Sequence, residues 1–381
     1  MSGIYFHIPF CKQACHYCNF HFSTSLRHKK RMLEAMRKEL EWRKGYLPGA
    51  RLDSVYFGGG TPSLLDGREL KALFRGVEAH FELAPEAEVT LEANPDDLTP
   101  EKIQQLRDTP VNRLSIGIQS FHQADLSFFN RAHNAAEALQ CVARARAAGF
   151  QDLTVDLIYG APTLTDAAWR DNVQRVIGLG VPHFSAYALT VEPRTALDYF
   201  VRKGKVPAVE EETAARHFEI LVAIAGEAGY QQYEVSNFAL PGHYARHNSS
   251  YWKGTPYLGI GPSAHSFDGQ SRQWNIANNA KYLNAMAAPH LEAAQAKGLF
   301  EREALSLADQ YNEYVMTGMR TQWGVDALAL RERFGPAFLR HFRQSARPFL
   351  AEGQMAEESG RYWLPGTYRF LADGIAAALF W

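Results

Sequence analysis

Short apolar runs alternate with longer amphipathic segments over the first 238 residues. The apolar runs predict strands at 4–9, 52–57, 88–95, 113–121, 152–162, 183–189 and 230–238. The amphipathic segments predict helices at 26–44, 67–80, 100–107, 136–148, 166–178 and 208–229. Because strand and helix alternate, the sequence predicts an α/β protein with a parallel sheet and helical crossovers.

The alternation stops after Phe238. Residues 239–300 mix Gly, Pro, His, Asn and aromatic residues, whereas residues 301–381 have the pattern of a separate helical domain. A small strand at 361–364 and a last helix at 367–379 are predicted within that domain. We therefore expect an α/β domain at 1–238, a connecting segment at 239–300 and a smaller, mainly helical C-terminal domain at 301–381.

Composition narrows the class of protein. Hydrophobic residues make up 46% and charged residues 21% of the 381 residues, as is typical of a soluble globular protein. The 40 Lys and Arg residues nearly balance the 41 Asp and Glu residues, so the charge gives no reason to expect a nucleic-acid partner. No apolar run approaches the roughly 18 residues of a membrane span, and the N-terminus does not have the pattern of a signal peptide.

Three of the four cysteines lie together on the loop that leaves the first predicted strand. Cys11, Cys15 and Cys18 have the spacing C-x3-C-x2-C. The odd local count disfavours disulfides, and a small number of cysteines, most of them in one motif, favours the reducing cytoplasm. A structural zinc site needs a fourth ligand, which His16 or His21 would have to supply. An iron–sulfur cluster is nominally held by four thiolates, so three would leave one iron open to another ligand.

The cysteine loop after the first strand resembles the signature of the radical S-adenosylmethionine family. The resemblance implies a partial (β/α)6 barrel, in which these cysteines hold a 4Fe–4S cluster. The amino and carboxylate groups of S-adenosylmethionine would then chelate the fourth iron. The run from Gly58 to Pro62 resembles the family's glycine loop, which implies that Gly59, Gly60 and Thr61 contact S-adenosylmethionine.

Polar residues recur at or near the carboxyl ends of later strands, where barrel proteins bind ligands. From the local sequence alone, a solvated carboxylate is the alternative for Glu92, and a structural hydrogen bond is the alternative for Asp156. Cys141 is interpreted as a small buried hydrophobe rather than a ligand. The cofactor contacts that the resemblance implies, beyond the glycine loop, are Tyr5, Tyr17, Glu92, Gln119, Arg131 and Asp156.

Two groups within the family share these features: the oxygen-independent coproporphyrinogen III dehydrogenases and the HemW-type haem chaperones. The dehydrogenases have a further cysteine two residues after the third, where this chain has Phe20, and an N-terminal segment before the barrel, where only ten residues precede Cys11. The run His247-Asn248-x-x-Tyr251-Trp252 resembles an element of the chaperones. These features favour the chaperone, while the intact cofactor constellation keeps the dehydrogenase, which uses a 5′-deoxyadenosyl radical, as the alternative.

The chaperone hypothesis assigns a ligand and partners. Imidazole is a usual axial ligand of haem iron, so we expect His247 to bind haem, with His243 and His265 as competitors. The cofactors are then a 4Fe–4S cluster, S-adenosylmethionine and haem. The resemblance also implies delivery of haem to respiratory proteins in the cytoplasm, and it leaves a homodimer and a peripheral membrane contact open.

Overall fold

The computed structural model describes residues 2–381, and within them the main feature is a sheet of twelve strands. In chain order the strands are β1 (Gly3–Ile8), β2 (Arg51–Gly59), β3 (Glu82–Ala93), β4 (Arg113–Gln119), β5 (Asp152–Tyr159), β6 (His183–Ala188), β7 (Gln231–Gln232), β8 (Asn237–Ala239), β9 (Tyr257–Ile260), β10 (His265–Phe267), β11 (Ser271–Asn275) and β12 (Phe300–Ala304). Strands β1 to β6 lie side by side in chain order and are all parallel, as predicted.

Helices connect the parallel strands and then build the C-terminal part. They are α1 (Lys29–Trp42), α2 (Gly67–Glu78), α3 (Pro100–Arg107), α4 (Gln123–Phe129), α5 (Ala135–Ala147), α6 (Asp166–Gly178), α7 (Ala196–Arg202), α8 (Glu211–Glu227), α9 (Arg246–Trp252), α10 (Asn279–Met286), α11 (Leu291–Gln295), α12 (Leu307–Met319), α13 (Ala327–Phe334), α14 (Pro336–Ala351) and α15 (Ala372–Ala378). The six helices predicted before residue 238 are all present, with ends that differ by a few residues. Helices α4, α7 and α9 were not predicted, because seven residues are too few to establish a helical period.

The two faces of the parallel sheet have different roles. On β1, the side chains of Ile4, Phe6 and Ile8 are fully buried in the hydrophobic core, which α1 joins through residues such as Met36. Successive side chains of a strand point to opposite faces, so Tyr5 and its alternate neighbours face the interior of the barrel. Because the apolar core packs against the other face, the side chains on the interior face can be polar.

The segment at 230–238, predicted as one extended piece, is instead a short antiparallel pair. Strands β7 and β8 are only two and three residues long, and β8 pairs antiparallel with β6. The sheet thus changes direction at this edge. Local hydrophobicity predicted the extended conformation but not the turn between the two strands.

Residues 239–300 do more than connect two domains. Strand β9 pairs parallel with β1 on the side opposite β2, and β10, β11 and β12 extend the sheet from there in antiparallel order. The fully buried carboxylate of Glu39 on α1 fixes this extension, because it accepts hydrogen bonds from the Tyr282 hydroxyl (2.6 Å), the Asn275 amide (2.7 Å) and the Gly261 main chain (2.9 Å). The division into three parts remains a prediction, but its middle part shares a sheet with the first.

The C-terminal residues have a hydrophobic cluster of their own, which includes Tyr311, Leu330, Phe342 and Ile375. A small antiparallel sheet accompanies the helices: β13 (Val325–Asp326), β14 (Ala356–Glu358) and β15 (Arg361–Trp363). The predicted mainly helical character and the predicted strand near 361 are confirmed. Within residues 2–381, no helix combines the length and apolar character needed to cross a membrane.

Candidate functional site

The three clustered cysteines lie on a loop that begins directly after β1. The main chain of Cys11 donates to the Ser23 carbonyl (3.1 Å), and Ser23 donates back to Pro9 (3.0 Å), so the two ends of the loop are paired. All three thiols are free and half-buried, and they line a cavity of about 450 Å³ inside the barrel. The structure therefore brings the three predicted cluster ligands to one cavity.

Burial sets the electrostatics of these thiols. It raises the pKa of Cys11 to about 11, although the Thr61 hydroxyl opposes this shift, and it raises the pKa of Cys18 to about 11. Arg131 donates from Nη1 to Cys15 Sγ at 3.3 Å. Thiolates are the form that binds metal, so iron would displace the protons of these thiols as it binds.

The two histidines that offered a zinc alternative have other partners. His16 Nδ1 lies 2.9 Å from the Phe128 carbonyl, and His21 Nε2 lies 2.8 Å from the Asn279 side chain. Neither histidine lines the cavity. In the part of the chain from 2 to 381, no three His, Cys, Asp or Glu side chains are arranged around one metal ion. The ligands of a cluster bind separate irons, so they need not converge on one point.

Gly59, Gly60 and Thr61 line the same cavity, at the end of β2. The Gly60 main chain donates to the Ile8 carbonyl (2.9 Å), and Thr61 donates to the Phe10 carbonyl (2.7 Å). A Cβ atom on Gly60 would lie only 2.5 Å from the Phe10 oxygen, and Gly59 has a φ of +105°. Glycine is therefore required where this loop approaches the cysteine loop.

Two carboxylates, one from β3 and one from β5, face the cavity on either side of β4. Glu92 accepts a hydrogen bond from the Tyr56 hydroxyl (2.8 Å), and Asp156 accepts one from Ser115 Oγ (3.0 Å). Burial is the largest cause that raises the pKa of Glu92 to about 7 and that of Asp156 to about 6. Each carboxylate would be stabilised by a cationic ligand, because the charged form now lacks a full counter-charge.

Arg131 spans the space between the cysteine loop and β4. Besides Cys15, its guanidinium donates to Asn94 Oδ1 (2.6 Å) and to the Gly117 carbonyl (2.7 Å). Gln119 ends β4 with a φ of +68°, which is unusual for a residue with a side chain, and it also lines the cavity. The lack of a side chain at Gly117 leaves the space that Arg131 and Gln119 occupy.

The cavity is lined by buried polar atoms that have no hydrogen-bond partner within residues 2–381, which fits a site for a bound cofactor. Arg131 Nε and Thr90 Oγ1 are buried and have no hydrogen-bond partner among the described residues, and both residues line the cavity. Buried polar atoms are nearly always paired in native proteins. Together with three free thiols, two carboxylates and a glycine cradle, these atoms fit a cluster and an amino-acid-bearing nucleoside.

The two predicted tyrosines lie in different places. Tyr17 lines the 450 Å³ cavity and packs edge-on against Phe129, with ring centres 5.4 Å apart. Tyr5 instead lines a second cavity, of about 710 Å³, between the β9–β12 extension and the C-terminal residues. Phe20 lines both cavities and is 67% exposed. Hydrophobic periodicity alone did not indicate this second cavity.

His247, the predicted haem ligand, lies on α9 behind the second cavity. Its Nδ1 is 2.8 Å from Ser54 Oγ, and its Nε2 is 2.8 Å from the Tyr251 hydroxyl. The ring stacks on Tyr56, with centres 5.0 Å apart, and only 1% of the residue is exposed. Burial lowers the pKa of His247 to about 3, so the ring is neutral. In this structure both ring nitrogens have protein partners and the side chain lines neither cavity.

Sequence reasoning missed several residues of the first cavity. These are polar side chains on the interior faces of β2 to β6 or just after them: Tyr56, Asn94, Arg113, Ser115, Thr154, Ser185 and Tyr187. Buried Arg113 donates to Thr154 Oγ1 at 2.8 Å. Polar residues within apolar strands were the available signal, and only Glu92, Gln119 and Asp156 among them were singled out.

A parallel barrel with a three-cysteine loop and a polar cavity at the carboxyl ends of its strands defines a radical S-adenosylmethionine protein. Comparison with known proteins agrees: the radical SAM superfamily model matches residues 5–176, and the HemN C-terminal domain model matches residues 305–367. The solved structure of coproporphyrinogen III oxidase from Escherichia coli has a TM-score of 0.85 and 22% identity, over 100% of this chain and 90% of that one.

Curated relatives narrow the family further. The chain is 36% identical to heme chaperone HemW of Mycobacterium tuberculosis over 99% of its own length and 94% of that protein. It is 29% identical to the protein of the same name from Bacillus subtilis, over 99% of both chains. The mitochondrial radical S-adenosyl methionine domain-containing protein 1 of Danio rerio is 31% identical over 85% of this chain and 74% of that protein. The chain therefore belongs to the HemW family of the radical SAM superfamily.

Proposed function

We propose that this protein is a haem chaperone that binds a 4Fe–4S cluster, S-adenosylmethionine and haem, and that delivers haem to respiratory proteins in the cytoplasm. The observation that carries the proposal is the identity of 36% with a protein named heme chaperone HemW across 99% of the chain. Similarity over the whole length favours a shared activity more than a shared barrel alone, because barrels of one fold serve many functions.

Residues of the first cavity would bind the cluster and S-adenosylmethionine. Cys11, Cys15 and Cys18 would hold three irons, and the cofactor pair supplies one-electron chemistry when bound. Glu92 and Asp156 offer negative charge to the cationic groups of S-adenosylmethionine. The unpaired Arg131 Nε and Thr90 Oγ1 offer donors to its oxygens.

A specific side chain disfavours the dehydrogenase alternative. Phe20 stands where that group has a further cysteine, and its exposed phenyl ring has no atom that ligates a metal. The likeness to coproporphyrinogen III oxidase, at 22% identity, supports the same fold and carries no argument about activity. We therefore propose that coproporphyrinogen is not turned over.

The test uses anaerobically reconstituted protein with an intact cluster. Haem is titrated and its Soret band followed, while a parallel sample receives reductant, S-adenosylmethionine and coproporphyrinogen and is analysed for protoporphyrinogen. Haem binding without turnover, followed by transfer to an apo-form respiratory haem protein, is the expected result. Turnover above that of a Cys18→Ser control that lacks the cluster would overturn the proposal.

The His247-Asn248-x-x-Tyr251-Trp252 element is part of the proposal as a haem-binding element. We expect His247→Ala to lower haem retention and to leave the iron and sulfide content of the cluster unchanged. If the variant retains haem as the wild type does, His247 has no role in binding. Gel filtration with and without the cluster tests the homodimer that the family resemblance left open.

A further inference from the structure

The second cavity has a floor made from one face of the sheet. Strand alternation puts His265 and Phe267 of β10 on this face, whereas Ser266 between them is buried and bonded to Arg43. Tyr5 of β1 and Tyr257 of β9 continue the same face. The floor therefore exists only because β9 to β12 extend the sheet beyond β1.

The opposite wall comes from the end of α9 and from the C-terminal helices. Tyr251 and Trp252 lie at the end of α9, and Glu313 and Tyr314 belong to α12. Trp323 adds a ring that carries the Lys253 ammonium at 4.6 Å from its centre. At about 710 Å³ the cavity has the size of a pocket for one small molecule.

The lining chemistry indicates a flat, apolar ligand with negative groups at its edge. Eight aromatic side chains line the cavity, and large rings pack well against a planar macrocycle. Three cationic residues, Lys253, Arg272 and Arg333, also line it, against one acidic residue, Glu313. Arg272 and Glu313 form an ion pair at 2.9 Å, which leaves two cations available for carboxylates.

Three imidazoles lie at or beside this cavity, and they differ in whether their ring nitrogens already have hydrogen-bond partners. His7 has both nitrogens engaged, with the His21 carbonyl at 2.8 Å and the Tyr5 hydroxyl at 3.3 Å. His247 is engaged by Ser54 and Tyr251. The exposed His265 ring stacks on Trp274 and makes no hydrogen bond with any of residues 2–381. His265 is therefore the cavity imidazole whose nitrogens are free to ligate a metal.

We propose that haem binds in the second cavity with His265 as the axial ligand of its iron, and that His247 acts as a positioning residue that orients Tyr251 in the cavity wall. This inference rests on the proposed haem-chaperone function. It assigns the propionates to Arg333 and Lys253, and it gives exposed Phe20 a role, since a macrocycle in this cavity would cover its ring. Because Phe20 also lines the first cavity, the two ligands would be neighbours.

The first experiment titrates haem into cluster-loaded wild type, His265→Ala and the control His290→Ala, which alters an exposed histidine outside both cavities. Optical and electron paramagnetic resonance spectra report the axial ligand. We expect His265→Ala to lose the imidazole-ligated spectrum and to bind haem about tenfold more weakly. His265→Cys should instead show a thiolate-ligated spectrum, which a merely misfolded protein would not produce.

The second experiment distinguishes the residue that ligates the iron from the residues of the cavity wall that contact the macrocycle. Iron-free protoporphyrin, followed by fluorescence, should bind His265→Ala as it binds the wild type, whereas Arg333→Ala should weaken it. His247→Ala and Tyr251→Phe should each weaken haem binding yet retain the imidazole spectrum, and the double variant should be no weaker than either single variant.

The outcomes distinguish the proposed haem-chaperone function from the assignment of His265 as the iron ligand. If wild-type protein binds no haem, the chaperone function itself fails. If wild type binds haem but His265→Ala keeps its imidazole spectrum, the function stands and the assignment of His265 is wrong. Loss of that spectrum in His247→Ala alone would return the ligand role to His247.

Discussion

Replacement of Glu92 by Gln tests the electrostatics of the first cavity. Glu92 has an ordinary pKa of 4.5 as a free side chain, and burial raises the pKa to about 7 in the folded protein. The Tyr56 hydroxyl offsets part of this cost, and the negative charge of Asp156 adds to it. Gln has nearly the same shape, accepts a hydrogen bond from Tyr56 and does not titrate.

The sign of the effect follows from proton uptake. Below pH 4.5 the carboxyl group is protonated in both states, so its burial does not alter the free energy of unfolding. Between pH 4.5 and about 7 the unfolded chain releases the proton that the folded chain keeps, so the wild type loses stability as the pH rises. Above about pH 7 the carboxyl group is ionised in both states, and the wild type has lost the full amount of stability that burial of the charge costs.

The magnitude follows from the gap between the two pKa values. At about 1.4 kcal/mol for each pKa unit, the gap from 4.5 to about 7 corresponds to about 3 kcal/mol. Because Glu92 is only half-buried and lines the cavity, solvent screening reduces this to about 2 kcal/mol. We therefore expect Glu92→Gln to be more stable than the cluster-free wild type at pH 8 and equally stable near pH 4.5.

Thermal midpoints measured from pH 4.5 to 8.5 provide the assay, because a difference in the free energy of unfolding between two variants shifts the midpoint in proportion. Glu332→Gln, at an exposed position of α13, is the matched control and should show no such trend. A midpoint difference that does not change with pH, or a variant less stable at every pH, would refute the reasoning. For S-adenosylmethionine the sign is opposite: its affinity for wild type should rise with pH through about 7 and be lower in the variant.

Three further outcomes are expected. Cys18→Ser should lose the bound iron and sulfide, whereas Cys141→Ser, whose sulfur is fully buried in α5, should keep both in a chemical assay. Gly60→Ala should lose about 1–3 kcal/mol because its Cβ would overlap main-chain oxygens, while Gly226→Ala, with open space around it, should show no loss in thermal melts. Asp156→Asn should weaken S-adenosylmethionine binding, mostly above about pH 6 where the wild-type carboxyl is ionised, as measured by calorimetry.

The sequence by itself determined the parallel core of the fold. Each strand from β1 to β6 has an apolar run, and each of the six predicted helices has an amphipathic pattern, and both signals are local. The cysteine loop and the glycine loop were equally visible, because close approach and thiolate ligation require particular residue types at short spacing.

Only the tertiary structure decided how distant segments pair. The pairing of β9 with β1 joins residues about 250 positions apart, and no period in residues 239–300 encodes it. The second cavity and the position of His265 on its floor follow from that pairing. One partner of His247 is also a tertiary contact, because Ser54 lies on β2, whereas Tyr251 lies four residues further along α9 itself. Local patterns specify strands and helices, whereas the satisfaction of a buried polar group depends on which elements pack around it.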